Sequence, residues 1–139
     1  MKKTQYSLVP PLLLAAAILI GHAAAAAEGQ TVQGRAYLSG GISVDERDEM
    51  QKRRSDFALR LATAARGSGT YLSGAEVKIT DRAGKAVLQL TLDGPWLLAD
   101  LTPGAYQVEV GYGGKTQRKS VSIRPGERRE LMFYFEEGE

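Results

Sequence analysis

The stretch Asp93-Gly94-Pro95-Trp96-Leu97-Leu98-Ala99-Asp100-Leu101-Thr102-Pro103-Gly104-Ala105-Tyr106-Gln107-Val108-Glu109-Val110 decides the fold. It contains the only tryptophan of the chain and a Pro-Gly pair that favours a turn. After that pair, apolar and polar side chains alternate, as they do in a strand with one buried face. The stretch therefore predicts two strands joined by a tight turn. Its predicted structural core is Trp96, Pro103, Gly104, Tyr106, Val108 and Val110.

Further alternating runs lie on both sides of this stretch. They predict strands over residues 31–38, 57–65, 75–80, 88–92, 120–124 and 131–135. In the first run, Val32, Gly34, Ala36 and Leu38 fall on one face, which we expect to be buried. Turn residues separate the runs, and a parallel sheet would need more crossover helices than the sequence offers. We predict an all-β fold, an antiparallel, Ig-like β-sandwich of about seven to eight strands with one short inserted helix.

The inserted helix is predicted over residues 43–55. Ser43 precedes Glu46 by three residues, which is a capping-box pattern, and acidic residues fill the first turns. Lys52 and Arg53 lie at the other end, where positive charge suits the helix dipole.

The first 27 residues read as a cleavable secretory signal. Lys2 and Lys3 precede the apolar run Leu8–Ile20, and Ala25-Ala26-Ala27 supplies the small-residue cleavage pattern. The apolar run is shorter than the roughly 20 residues that a membrane-spanning helix needs, so we expect no stable membrane anchor after cleavage. The sequence thus predicts a signal peptide over 1–27, a β-sandwich domain over 28–139, and a periplasmic or secreted location.

Cleavage would also change the charge and the chemistry of the chain. Lys2, Lys3 and His22 leave with the signal, so basic and acidic residues balance in what remains, and no histidine is left. A domain without net charge has no overall field to attract nucleic acid, and we expect none as a partner. The chain has no cysteine, so the domain is held by its core rather than by disulfides.

No catalytic or metal-binding pattern is present. A mature chain without histidine or cysteine lacks the commonest general base and the thiol nucleophile, and no G-x-S-x-G, P-loop or HExxH pattern occurs. The acidic residues after Ser43 do not have the spacing of a calcium loop and suit the start of a helix. We predict no enzyme activity, no cofactor and no metal, and keep a hydrolase with paired carboxylates as a remote alternative.

Several motifs together resemble the carboxypeptidase regulatory-like family, a transthyretin- or prealbumin-like sandwich. They are Val32-x-Gly34, Gly74-Ala75-x-Val77, Asp93-Gly94-x-Trp96 and Leu101-x-Pro103-Gly104-x-Tyr106-x-Val108-x-Val110. The resemblance covers residues 31–38 and 71–136. It implies that residues 39–70, which hold the predicted helix and the strand over 57–65, are an insertion into the family's sandwich. It implies a stability, docking or ligand-binding module without catalytic residues of its own.

The leading hypothesis is therefore a non-catalytic exported module that docks onto another envelope or secreted protein. We expect recognition on the inserted helix and on the adjoining loops, residues 39–42 and 66–72. The predicted partner surface consists of Asp45, Glu46, Glu49, Arg53, Tyr71 and Tyr37. The alternative is a carbohydrate- or cell-wall-binding domain that uses exposed tyrosines, for which Tyr37, Tyr71, Tyr112 and Tyr134 are the candidates.

The last predicted hairpin is rich in arginine and lysine, which allows two interpretations. The favoured one is a charged strand surface that prevents aggregation, and the other is a docking site for an anionic partner. The basic residues are Lys115, Arg118, Lys119, Arg124, Arg128 and Arg129.

Overall fold

The computed structural model describes residues 26–137. The predicted signal peptide therefore lies outside the described residues, apart from Ala26 and Ala27. The elements are β1 (Ala27–Gln30), β2 (Ala36–Gly40), α1 (Val44–Lys52), a short 3₁₀ helix (Arg54–Asp56), β3 (Leu59–Ala65), β4 (Glu76–Asp81), β5 (Ala86–Thr91), β6 (Trp96–Ala99), β7 (Gly104–Tyr112), β8 (Lys115–Ile123) and β9 (Arg129–Phe135).

The strands form two sheets, which confirms the predicted all-β sandwich with one short helix. One sheet has five strands in the order β1-β2-β6-β3-β9, and the other has four in the order β5-β4-β7-β8. Every strand pair is antiparallel except β3 with β9, which run parallel from Leu59 opposite Arg129 to Ala65 opposite Phe135. The sheets contain nine strands instead of the predicted seven to eight, and β1 is the strand that was not predicted.

The predicted strand over residues 31–38 is wrong in its first half. Residues 31–35 form a turn between β1 and β2, closed by Thr31 N–H donating to the Arg35 carbonyl over 2.7 Å. Gly34 has a φ of 76°, which an L side chain adopts only with strain, and Val32 is 64% exposed instead of buried. The alternation of small and apolar residues was the same as in a strand. The Thr31 hydroxyl, which accepts the backbone N–H groups of Gln33 and Arg35, and Gly34 instead favour a turn.

The helix begins where the sequence predicted and ends earlier. Ser43 is the N-cap, and its hydroxyl oxygen accepts the backbone N–H of Glu46 at 3.1 Å. The α-helix stops at Lys52, and the chain tightens into the 3₁₀ helix before Phe57, which is extended and buried.

The main core lies between the sheets. Tyr106, Val108 and Val110 are buried there, and the Tyr106 hydroxyl donates to the Thr102 carbonyl over 2.6 Å. Pro103 and Gly104 are exposed, which corrects their assignment to the core. They supply the turn that positions Tyr106, and turns lie at the surface, where water solvates their backbone.

A second, smaller core covers the outer face of the five-stranded sheet. The run from Trp96 to Ala99 is buried at every position, because Leu97 and Ala99 face the main core while Trp96 and Leu98 face outward. Met50 of α1 and Phe57 close over this outer cluster. Trp96 is therefore buried, at 7% exposure, but outside the sandwich and beneath the inserted helix.

On each side of the sandwich, where the edge strands of the two sheets lie, individual hydrogen bonds connect the two layers. At one side, Gln117 Nε2 donates to the Tyr134 carbonyl over 2.6 Å, and Lys119 Nζ donates to the Met132 carbonyl. These bonds run from β8 to the outer edge of β9 and occupy carbonyls that a further strand would use. At the other side, Val32 N–H donates to the Val87 carbonyl over 2.9 Å.

Candidate functional site

Two residues of the predicted partner surface are not available to a partner. Glu46 is buried at 7% exposure, and its Oε1 accepts the backbone N–H of Gly41 over 2.6 Å, so it closes the loop before the helix. Tyr37 is half-buried and packs against the main core. The capping-box pattern predicts Glu46 in the first turn of the helix, but it does not predict that the side chain is buried against the loop at Gly41.

The remaining predicted residues do not lie together: Asp45, Glu49 and Arg53 lie on the β1 side of α1, whereas Tyr71 lies on the side of Arg47. At about 100° per residue, Arg47 lies about 100° to one side of Glu46 and Glu49 about 60° to the other. Arg47 reaches towards Tyr71, whereas Arg53 pairs with Glu28 of β1. Asp45 and Glu49 are exposed on the β1 flank.

Arg47 joins the two loops that the sequence placed in one surface. Its Nη1 donates to the Gly41 carbonyl over 2.7 Å and to the Ile42 carbonyl over 3.2 Å. Its Cζ lies 5.2 Å from the centroid of the Tyr71 ring. Gly41 is required here, because it has a φ of 95° and its backbone lies directly against Trp96.

The contacts continue inward from Tyr71. The rings of Tyr71 and Trp96 meet edge to face, with centroids 6.0 Å apart. On Trp96 lies Arg60, whose Cζ is 4.3 Å from the ring centroid. We call Arg47, Tyr71, Trp96 and Arg60 the arginine–aromatic column. The two arginine–ring contacts are favourable cation–π contacts, and the edge-to-face contact is a favourable aromatic pair.

Glu130 anchors the inner end of the column. Its Oε1 lies 3.2 Å from Arg60 Nη1 and 3.7 Å from Arg54 Nε. Burial lowers the pKa of the Arg54 guanidinium, and the Glu130 carboxylate opposes this while the charges of Arg60 and Arg128 add to it. One carboxylate thus serves two guanidinium groups, which fixes Arg60 over the indole.

A second exposed tyrosine lies on the same sheet face. Ala64 of β3 pairs with Tyr71 on one side and with Tyr134 of β9 on the other. Directly paired residues project from the same face, and neighbouring strands are about 4.8 Å apart, so these tyrosines stand about 10 Å apart. Tyr71 is 39% exposed and Tyr134 is 42% exposed.

Exposed aliphatic side chains extend this area beside Arg47. Ile42 is 60% exposed and Val44 is 62% exposed. We define the Tyr71 face as Ile42, Val44, Arg47, Arg60, Tyr71 and Tyr134. Sequence reasoning missed Arg47 and Arg60; the signal for Arg60 was its outward position in a strand otherwise rich in apolar residues.

The other predicted tyrosines do not belong to this face. Tyr37 faces the main core, and Tyr112 is half-buried with its ring 5.7 Å from that of Phe135. Across residues 26–137, no three His, Cys, Asp or Glu side chains converge in a way that could hold a metal ion. None of the helices described there has the length and apolar character needed to cross a membrane.

Comparisons with known proteins identify no family for this chain. Neither a protein-family model nor a curated protein matches the chain. The solved structure of S.CueP aligns with 52% of this chain at 17% identity and a TM-score of 0.41. The chain spans 57% of the length of that structure. The likeness to carboxypeptidase regulatory-like domains therefore stays a prediction.

Proposed function

We propose that this protein is a non-catalytic module that docks onto another protein through the Tyr71 face. The observation that supports this most directly is the arginine–aromatic column, which unites the loop at Ile42, the helix and the loop at Tyr71. Next to the column, the exposed apolar side chains of Ile42 and Val44 add contact area at the start of the helix.

The composition of the face suits protein recognition. Tyrosine and arginine are the residue types that, with tryptophan, dominate binding energy at protein interfaces. Here two half-exposed tyrosines and two arginines share one area with two exposed aliphatic residues. Lysine, which is depleted at interfaces, does not contribute to the Tyr71 face.

The face is also held in place before any partner arrives. Arg47 is fixed by two backbone carbonyls, and Arg60 is fixed by Glu130 and by the indole of Trp96. Side chains that are ordered in the free protein lose less conformational entropy on binding. The stacked side chains therefore serve as a preorganised recognition surface.

The charges of the Tyr71 face support one kind of partner. Within the described part of the chain, Arg60 pairs with Glu130, whereas Arg47 has no carboxylate within ion-pair distance. A partner that fits would place an apolar patch on Tyr71 and Ile42 and a carboxylate next to Arg47. The proposed partner is thus an envelope or secreted protein with an acidic rim around an apolar centre.

The proposal includes export to the periplasm, which rests on the signal pattern of residues 1–27. Intact-mass measurement of protein from an osmotic-shock fraction tests it, and loss of those residues is the expected result. Ala26 packs against the outer core and Ala27 pairs with Ser39, so the measured cleavage point also decides how much of β1 remains. Full-length protein in the cytoplasmic fraction would contradict export.

Site-specific photo-crosslinking in intact cells tests the docking face. A photoreactive residue at Ile42 is expected to capture one protein reproducibly, whereas the same residue at Lys78, on the exposed face of the other sheet, is not. The captured protein, once purified, should bind the wild type and lose about tenfold or more in affinity for Arg47→Ala. Equal binding of the variant, or equal capture from both positions, would refute the proposal.

The carbohydrate alternative is distinguished by the same variants. Tyr71 and Tyr134 lie side by side on one face and present aromatic rings to solvent. Migration of the protein through polysaccharide gels should be unaffected by Tyr71→Ala and Tyr134→Ala if a protein is the partner. Retardation that both substitutions abolish, without protein capture at Ile42, would replace the docking proposal with carbohydrate binding.

A further inference from the structure

A cleft opens at the end of β3 that is opposite to Tyr71. It has a volume of about 230 Å³ and lies where the two cores meet, since Phe57 of the outer core and Leu101 and Ile123 of the main core lie buried at its base. Its exposed apolar wall consists of Pro103 and Pro125. Its rim carries charged side chains from separate turns of the chain, among them Asp56 and Arg124. No residue of the Tyr71 face lines this cleft.

Three segments of the chain are fixed around the cleft. Arg128 donates from Nε and Nη2 to the Ser55 carbonyl, over 3.0 and 2.8 Å, and ties the β8–β9 turn to the 3₁₀ helix. The turn itself is closed by Glu127 N–H donating to the Arg124 carbonyl over 3.0 Å. On the opposite rim, Asp100 N–H donates to the Ala36 carbonyl over 3.0 Å. The cleft is therefore formed by anchored backbone.

The charges on the rim are balanced but only partly paired. Arg35 and Asp100 form an ion pair at 3.1 Å. Within residues 26–137, Arg124, Asp56 and Glu127 lie on the rim without any ion pair.

The rim arginine that anchors the cleft has further N–H donors. Arg128 uses Nε and Nη2 for Ser55, which leaves both N–H groups of Nη1 for a ligand. The cleft thus offers guanidinium donors and carboxylate acceptors side by side above an apolar wall.

We propose that this cleft binds a zwitterionic ligand of the size of a dipeptide, with a free carboxylate and a free ammonium group. The carboxylate lies against Arg124 and Nη1 of Arg128, the ammonium group lies against Asp56 or Glu127, and an apolar side chain lies on Pro103 and Pro125. The volume is below the roughly 300–1,000 Å³ of pockets for drug-sized molecules, which agrees with a ligand of this size.

The balance of charges explains why both ends of the ligand are needed. A simple anion at Arg124 would also approach Glu127, three residues along the same turn, and a simple cation would approach Arg124 and Arg128. A ligand with both charges separated by a peptide unit satisfies each group with its opposite.

Titration of the full domain with leucyl-leucine, followed by amide NMR, tests the proposal. We expect shifts concentrated at residues 55–58, 100–103 and 123–128, and a loss of about tenfold in affinity for either the N-acetylated or the C-amidated dipeptide. Arg124→Gln should weaken binding to a similar extent, and Arg118→Gln on the outer face of β8 should not. Thermal unfolding of both variants shows whether they remain folded.

Three outcomes would overturn the proposal. They are the absence of shifts at those residues at millimolar dipeptide, equal binding of the doubly blocked dipeptide, and unchanged binding by a folded Arg124→Gln variant. None of them bears on the Tyr71 face, since that face lies at the other end of β3.

Discussion

The guanidinium of Arg60 lies over the outer core, with its Cζ 4.3 Å from the centroid of the Trp96 ring. Arg60 comes from β3 and Trp96 from the neighbouring β6, where Trp96 pairs directly with Ala62. The small side chain of Ala62 leaves room for the indole, and the side chain of Arg60 covers it. A charged residue thus completes a core that α1 covers only in part.

We predict that Arg60→Ala lowers the free energy of unfolding by about 1–2 kcal/mol, because it removes both the cation–π contact and the aliphatic cover of Trp96. Urea unfolding monitored by circular dichroism measures this. The matched control is Arg118→Ala, whose exposed ion pair with Glu109 should be worth less than about 1 kcal/mol. Equal losses for the two variants would show that the contact with Trp96 contributes nothing.

Truncation of the Tyr106 side chain in β7 is expected to be costly. Its ring is 5% exposed in the main core, so Tyr106→Ala should cost about 3–5 kcal/mol, whereas Tyr106→Phe should cost about 1 kcal/mol through the lost hydroxyl. Equilibrium unfolding of both variants separates the ring from the hydroxyl. A loss below about 1 kcal/mol for Tyr106→Ala would mean that the ring is not buried.

Glu46 should behave as a structural residue. Glu46→Ala leaves the N–H of Gly41 without its acceptor and should cost about 1–3 kcal/mol, while Glu46→Gln keeps an acceptor oxygen and should cost less. Glu49→Ala is the control, because its pair with Lys52 is fully exposed to solvent and should be worth little. If Glu46→Ala were as harmless as the control, Glu46 would have to be returned to the candidate partner surface.

The side chains that close the edge of β9 should keep the protein monomeric. We expect the double variant Gln117→Ala, Lys119→Ala to expose the carbonyl of Met132, to leave the carbonyl of Tyr134 with only the 3.4 Å hydrogen bond from Arg66 Nη2, and to associate through this edge. Size-exclusion chromatography over a concentration series measures the association. The control is Lys115→Ala at the start of β8, which should elute as the wild type at every concentration.

The sandwich was predictable because most of its strands have one buried face. In β4 and β7, alternate residues such as Val77, Val108 and Val110 point into the main core, and period-two alternation reports this directly. The turn over residues 31–35 was missed because Val32 and Gly34 continued the alternation by chance. β1 was missed because Ala27–Gln30 is short and has no alternation to read.

The position of Trp96 could not be read from the sequence, and the candidate site depends on it. The run Trp96–Ala99 is apolar throughout, which indicates burial on both faces but not which face each residue occupies. Only the pairing of β6 between β2 and β3 places Trp96 outside the sandwich, next to Arg60. Arg47 and Tyr71 are separated widely in sequence, so their contact follows from the fold alone.

The sole indole of the chain lies beneath the Tyr71 face, between the side chains of Tyr71 and Arg60. Its ultraviolet emission consequently comes from a single known place, without interference from a second tryptophan. A ligand that displaced either neighbouring side chain would alter the colour or intensity of that emission, so occupancy can be followed optically without any attached dye. The molecule carries its own reporter, positioned where recognition is proposed to occur.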